Sequence, residues 1–132
     1  MKIINNNLID RVVGQAKESL RLRMNYNFHA SLDDKCHRML NALEPGTQVP
    51  IHHHVTKDES FILLRGKVRV NIYNDAGEVT ETIVLCHADG NIGVDIPKNT
   101  WHNVECLEEG SVIFEVKEGP FVEHAVDGIH RV

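Results

Sequence analysis

The stretch GTQVPIHHHVTKDESFILLRG, residues 46–66, decides the fold. His52 and His54 are two residues apart, and side chains two apart on a strand leave the same face. His53 leaves the other face. Glu59 follows a short turn and opens the next strand. Two imidazoles and a carboxylate then converge on one point. His102, in PKNTWHNV (97–104), is a fourth convergent residue from a later strand. This donor set suits one divalent transition metal: Fe, Zn, Mn and Ni all accept imidazole and carboxylate. Ligand atoms must lie roughly 2.0–2.2 Å from the ion, which only rigid, facing strands can arrange. Three His and one Glu leave about one or two positions open for water, dioxygen or a substrate oxygen.

Downstream of Gly46, short strands alternate with turn signals. We expect strands at 47–54, 58–65, 67–74, 79–86, 92–96, 101–107 and 111–117. Arg65-Gly66, Asp75-Ala76-Gly77, Asp89-Gly90, Pro97-Lys98-Asn99 and Glu109-Gly110 separate them. That spacing is the pattern of a β-sandwich or barrel. Upstream, the pattern predicts two N-terminal α-helices. Asn7 caps the first, over 8–19, with Leu8, Val12, Ala16 and Leu20 on one stripe. Ser31 caps the second, over 32–43, with Asp33 and Asp34 in its first turn and Met39, Leu40 and Leu43 on its apolar side. Glu44-Pro45-Gly46 stops it. One structural domain is expected: 1–46 packed on the barrel, 47–118 the barrel, 119–132 a tail.

Between the two expected helices lies RLRMNYNFH, residues 21–29, which alternates strictly. Leu22, Met24, Tyr26 and Phe28 form one face; Arg21, Arg23, Asn25, Asn27 and His29 form the other. If this strand joins the barrel wall, the polar face lines the metal pocket. Guanidinium forks bind carboxylate or phosphate, amides serve hydroxyls, and His29 is the expected catalytic acid or base. Two arginines facing inward need acidic partners or an anion, and Glu115 is one such partner. Trp101 is a packing wall beside His102 and a stacking face for a sugar. An anionic, sugar-like small molecule is the expected ligand.

Residues 46–66 match the first cupin motif, G-x5-H-x-H-x3,4-E-x6-G, at each defined position. The second motif, G-x5-P-x-G-x2-H-x3-N, is met at Pro97 and His102. Asn99 stands in for its second Gly, and Asn tolerates left-handed backbone. Cys106 replaces its Asn, and Gly90 falls one residue early. The chain resembles the cupin superfamily. Together with RLRMNYNFHASLDDKCHRMLNALEPG and FEVKEGPF it resembles the WbuC-type cupin fold metalloproteins, over residues 12–121. That resemblance implies a mainly β jelly-roll barrel with a helical N-terminal addition, one bound divalent metal, and association with surface polysaccharide such as O-antigen.

Bulk properties narrow the function further. A net charge of −5 provides no basic field for nucleic acid. No apolar run is long enough for a signal core or a membrane span, so a cytoplasmic location is expected. Cys36, Cys86 and Cys106 are widely spaced and read as buried free thiols. His37, His87, His124 and His130 read as surface residues. On base rates the chain forms a homodimer. Three functions are compatible with these residues: a metal-dependent isomerase or epimerase of a sugar or nucleotide-sugar, an Fe(II) oxygenase of a small molecule, and a metal-dependent sugar-binding or regulatory module without turnover.

Overall fold

The computed structural model describes residues 1–122 and 128. Helix α1 (Asn6–Glu18) is followed by β1 (Arg23–Asn27), β2 (Cys36–Leu43), β3 (Glu59–Arg65), β4 (Lys67–Tyr73), β5 (Val79–Cys86), a 3-10 turn (His87–Asp89), β6 (Gly93–Ile96), β7 (Trp101–Cys106) and β8 (Ser111–Glu118). Two antiparallel sheets form, ordered β1-β2-β8-β3-β6 and β5-β4-β7. Their facing sides share one core. Leu43, Phe61, Leu63, Ile96 and Ile113 from the first sheet meet Val68, Val70, Leu85 and Val104 from the second. The opposite side of the five-stranded sheet carries α1. There Leu40, Ala42 and Val112 pack against Leu8, Ile9, Val12 and Ala16.

Only one of the two expected helices exists among the described residues. Segment 32–43 is a turn followed by β2. Ser31 and Asp34 close the turn instead of capping a helix: Asp33 N–H donates to Ser31 Oγ at 3.1 Å and Ala30 N–H donates to Asp34 Oδ2 at 2.8 Å. β2 lies between β1 and β8 and is covered on both faces. Its inner side holds His37, Asn41 and Leu43; its outer side puts Leu40 and Ala42 under α1. A strand covered on both faces loses the alternation that marks strands, so Met39, Leu40 and Leu43 mimic a helical stripe. The first helix runs 6–18, with Asn5 rather than Asn7 as its cap; Asn5 Oδ1 accepts from Leu8 N–H at 3.0 Å. Leu20 lies beyond its end and is exposed.

The expected strand 47–54 is irregular chain stitched to its neighbours. His52 and His102 form a single bridge, with N–H···O distances of 3.0 and 2.9 Å. Asn99 N–H donates to His54 O at 2.8 Å, Thr47 Oγ1 donates to Arg21 O at 2.6 Å, and Asn103 Nδ2 donates to Val49 O at 3.4 Å. The other six expected strands each have a counterpart within two residues of their ends. The three cysteines are free, but Cys36 is exposed and Cys86 and Cys106 are half-buried, so none is a core thiol. His37 is buried, not superficial. His87 is exposed, and His124 and His130 lie outside the described residues. No helix among the described residues is long and apolar enough to cross a membrane.

Candidate metal centre

The irregular segment and β7 bring His52, His54 and His102 together, and Glu59 at the start of β3 completes the group. One ligand atom from each of the four lies within 4.8 Å of all the others. His54 Nε2 is 3.1 Å from Glu59 Oε2, and His102 Nε2 is 3.5 Å from Glu59 Oε1. His54, Glu59 and His102 are buried.

Two of the rings are aimed by their own backbone. His52 Nδ1 bonds Pro50 O at 2.8 Å, and His102 Nδ1 bonds Thr100 O at 2.8 Å. A carbonyl only accepts, so each Nδ1 carries a proton, and in the neutral ring the lone pair is on Nε2. This is how metal-ligating histidines are oriented in general. His102 Nε2 is buried, and its contact with Glu59 Oε1 at 3.5 Å is too long for a good hydrogen bond, a cost unless a cation takes the lone pair. Burial and the neighbouring His102 push the His52 pKa down to about 4, which keeps that ring neutral. Burial alone would raise the Glu59 pKa, but the facing His102 and His54 rings outweigh it and hold the carboxyl well below its usual range. A neutral His52 and an ionised Glu59 are protonation states that suit a divalent ion. The four residues fit one such ion.

The alternation read from HHH holds. His53 faces outward and stacks on Trp101, with centroids 3.8 Å apart and planes 7° apart. Trp101 Nε1 donates to Asp75 Oδ1 at 3.1 Å. Trp101 is therefore the outer wall behind the metal strand, and it does not line the cavity described next. Asn99 adopts φ +60°, the left-handed turn its place in the second motif demands.

A cavity of about 230 Å³ opens beside the centre. His52, Glu59 and His102 form one part of its wall; Arg23, Asn41 and Glu115 add polar groups; Leu43, Val49, Pro50, Val104 and Ile113 add apolar ones. Of the polar face expected from 21–29, only Arg23 lines it. Arg21 fails because residues 19–22 are turn and Leu22 takes φ +57°, which breaks the alternation before the strand begins. Asn25 and Asn27 do share the inner side of β1, but β1 is an edge strand and both are exposed, bonded to each other at 2.8 Å. His29 lies beyond β1, buried and stacked on His37 with centroids 4.1 Å apart. Its expected place in the pocket is not where the chain puts it.

Comparison with known proteins places these observations. Residues 4–85, more than half of the chain and including His52, His54 and Glu59, match the family described as Domain of unknown function (DUF6016). The chain belongs to the DUF6016 family. No curated protein matches it. Among solved structures, CapF in complex with the inhibitor 3-isopropenyl-tropolone is 25% identical with a TM-score of 0.59, over 78% of this chain and 30% of CapF. KdgF from Halomonas sp. is 15% identical with a TM-score of 0.57, over 73% of this chain and 79% of KdgF. The Cnp3 cupin domain of Schizosaccharomyces pombe is 11% identical with a TM-score of 0.57, over 74% of this chain and 64% of that one. This DUF6016 chain thus spans about a third of the CapF chain it matches. It carries the cupin fold, and of the four residues that could hold a metal, His52, His54 and Glu59 come from the first cupin motif and His102 from the second.

Asn41 is the polar cavity residue that sequence reasoning missed in this DUF6016 chain. It was hidden in the segment assigned to a helix. Its Nδ2 donates to Glu115 Oε2 at 2.7 Å, across β2 and β8. Burial first, and the charge of Glu59 second, raise the Glu115 pKa well above the usual carboxylate range. Glu115 therefore holds its proton to a higher pH than its neighbour Glu59 does.

Proposed function

We propose that this protein is a metal-dependent cupin enzyme of the WbuC type, acting on a sugar-like molecule, free or nucleotide-linked, in surface polysaccharide biosynthesis. The observation that carries this is the placement of four donor atoms within 4.8 Å of one another, three of their residues (His52, Glu59 and His102) in the wall of a cavity that also holds Glu115, whose pKa is raised by burial and by Glu59. A bound divalent ion supplies Lewis acidity toward a carbonyl or hydroxyl oxygen. His52 and His102 hold their lone pairs toward it through the backbone bonds at Nδ1. Glu115 holds a proton at its carboxyl, oriented by Asn41, and gives or takes it at the ligand; this role passes to it from His29, which lies outside the cavity. Leu43, Val104 and Ile113 keep water from the apolar side of the cavity. Isomerisation or epimerisation needs this combination of one electrophile and one proton carrier. Support from relatives is of one kind: CapF from Staphylococcus aureus is described as a capsular polysaccharide assembling protein.

Elemental analysis of anaerobically purified protein tests the centre. One equivalent of metal per chain is expected in the wild type, and less than about a fifth of that in His102→Ala. Incubation with free and nucleotide-linked sugars, followed by NMR, tests turnover. Oxygen consumption with bound iron would instead select an Fe(II) oxygenase, and saturable binding without product a sugar-binding module. The proposal includes a homodimer in the cytoplasm, which light scattering and fractionation check.

A further inference from the structure

We infer that the ligand of this cavity is a small free carboxylic acid bearing hydroxyl or keto oxygens, its carboxylate held by Arg23, and not a nucleotide-linked sugar. The inference rests on the metal-centred function proposed above and narrows its ligand.

Arg23 is the one lysine or arginine among the described residues lining the cavity. It is half-buried. Its Nη1 donates to Gln48 O at 2.5 Å, which fixes the guanidinium plane. A guanidinium has five N–H donors and accepts nothing, so most of its donor capacity stays available. Among the described residues no carboxylate pairs with it. Glu59 is engaged by His54 and His102, and Glu115 by Asn41. Burial and the nearby charge of Arg21 both disfavour the Arg23 cation. A half-buried cation beside a second cation, with no acid to balance it, leaves that part of the cavity short of negative charge. A carboxylate matches the fork bidentately and supplies that charge.

The rest of the wall specifies the body of the ligand. The apolar side chains of Leu43, Val104 and Ile113 accept a carbon skeleton, and the metal group accepts an oxygen at the other end. Size decides between a free acid and a nucleotide conjugate. At about 230 Å³ the cavity is smaller than the roughly 300–1,000 Å³ that encloses drug-sized ligands. A six-carbon acid fits. A nucleoside diphosphate-sugar would leave its nucleotide outside; Arg21, close enough to Arg23 for its charge to act there, is one cation it could meet.

The test uses metal-loaded full-length protein with galacturonate, gluconate, galactose and UDP-galactose, each followed by calorimetry at matched ionic strength. Galacturonate or gluconate is expected to bind at least tenfold more tightly than galactose and UDP-galactose. Arg23→Met is expected to lose that preference with its metal content unchanged, Arg23→Lys to lose part of it, and Arg21→Met to retain it. Tighter binding of UDP-galactose, or its loss in Arg21→Met, would overturn the inference. So would acids that bind Arg23→Met as well as wild type, because they would be coordinating the metal alone. A wild-type protein that takes up no metal would sink the underlying function instead, which elemental analysis of the same sample distinguishes.

Discussion

Glu115 and Glu59 show how two carboxyl groups with the same intrinsic chemistry acquire opposite roles. Glu59 faces two imidazoles and ionises easily; Glu115 faces Glu59 and the amide of Asn41 and holds its proton to higher pH. A group whose pKa is raised in the folded state stabilises the fold below its unfolded pKa, near 4.5. That contribution is lost as pH climbs through the folded value. Glu115→Gln removes this loss while leaving an oxygen for Asn41 Nδ2 to donate to. In metal-free protein the variant is therefore expected to gain stability over wild type at pH 8 and to gain little at pH 5, as read by urea denaturation at both pH values. An equal effect at both would mean that Glu115 is already ionised.

Elements are held by close approaches that few substitutions respect. Gly66 joins β3 to β4 at φ +88°, and a Cβ there would fall 2.3 Å from Ser111 Oγ and 2.7 Å from Ser111 Cα. Ser111 is fully buried and its Oγ donates to Glu108 O at 2.6 Å, so it has no room to yield. Gly66→Ala combines unfavourable backbone with a clash against main chain, and should cost at least about 2 kcal/mol; a denaturation midpoint within error of wild type would refute that. The helix–sheet layer makes a separate demand. Leu40 is fully buried beneath α1. Leu40→Ala should cost about 2–5 kcal/mol through lost burial and a residual cavity. The metal group lies on the other side of the sheet, so metal stoichiometry should not change. Loss of metal in this variant would show that α1 packing and the centre are coupled.

At the level of the full chain, the candidate centre should make stability depend on both pH and metal. The His52 pKa falls to about 4, chiefly by burial and then by the adjacent His102. In the unfolded chain it returns to the ordinary imidazole value of about 6.5. A depressed pKa contributes stability above the unfolded value and loses it as pH drops toward the folded one. Glu59, also depressed, extends the loss into the carboxylate range. Metal-free protein should therefore become progressively easier to unfold from about pH 6.5 downward. Zinc at about 100 times its dissociation constant should add about 2.7 kcal/mol at neutral pH. That increment should shrink as pH falls, because protons compete for the imidazoles. Thermal melts across pH 4–8 with and without zinc check this; a zinc increment independent of pH would exclude histidine ligation.

Three residues of the candidate metal centre were legible in residues 46–66 because their grouping depends on spacing that the covalent chain itself imposes. His52 and His54 share a face, His53 opposes them, and Glu59 follows a turn, whether the segment is a regular strand or the irregular chain observed. The inward face of β1 was legible for the same reason, as was Arg23. What lay beyond reading was set by partners far away in sequence. Residues 36–43 suit a helix in isolation and become β2 only because β1 and β8 satisfy their backbone from both sides. Arg21 left the pocket because a left-handed Leu22 ended the alternation, and Asn25 and Asn27 met solvent because β1 is the last strand of its sheet. Local periodicity specifies which side chains share a face. Only the packing of distant strands specifies which face is covered, and so which of those side chains reach the site.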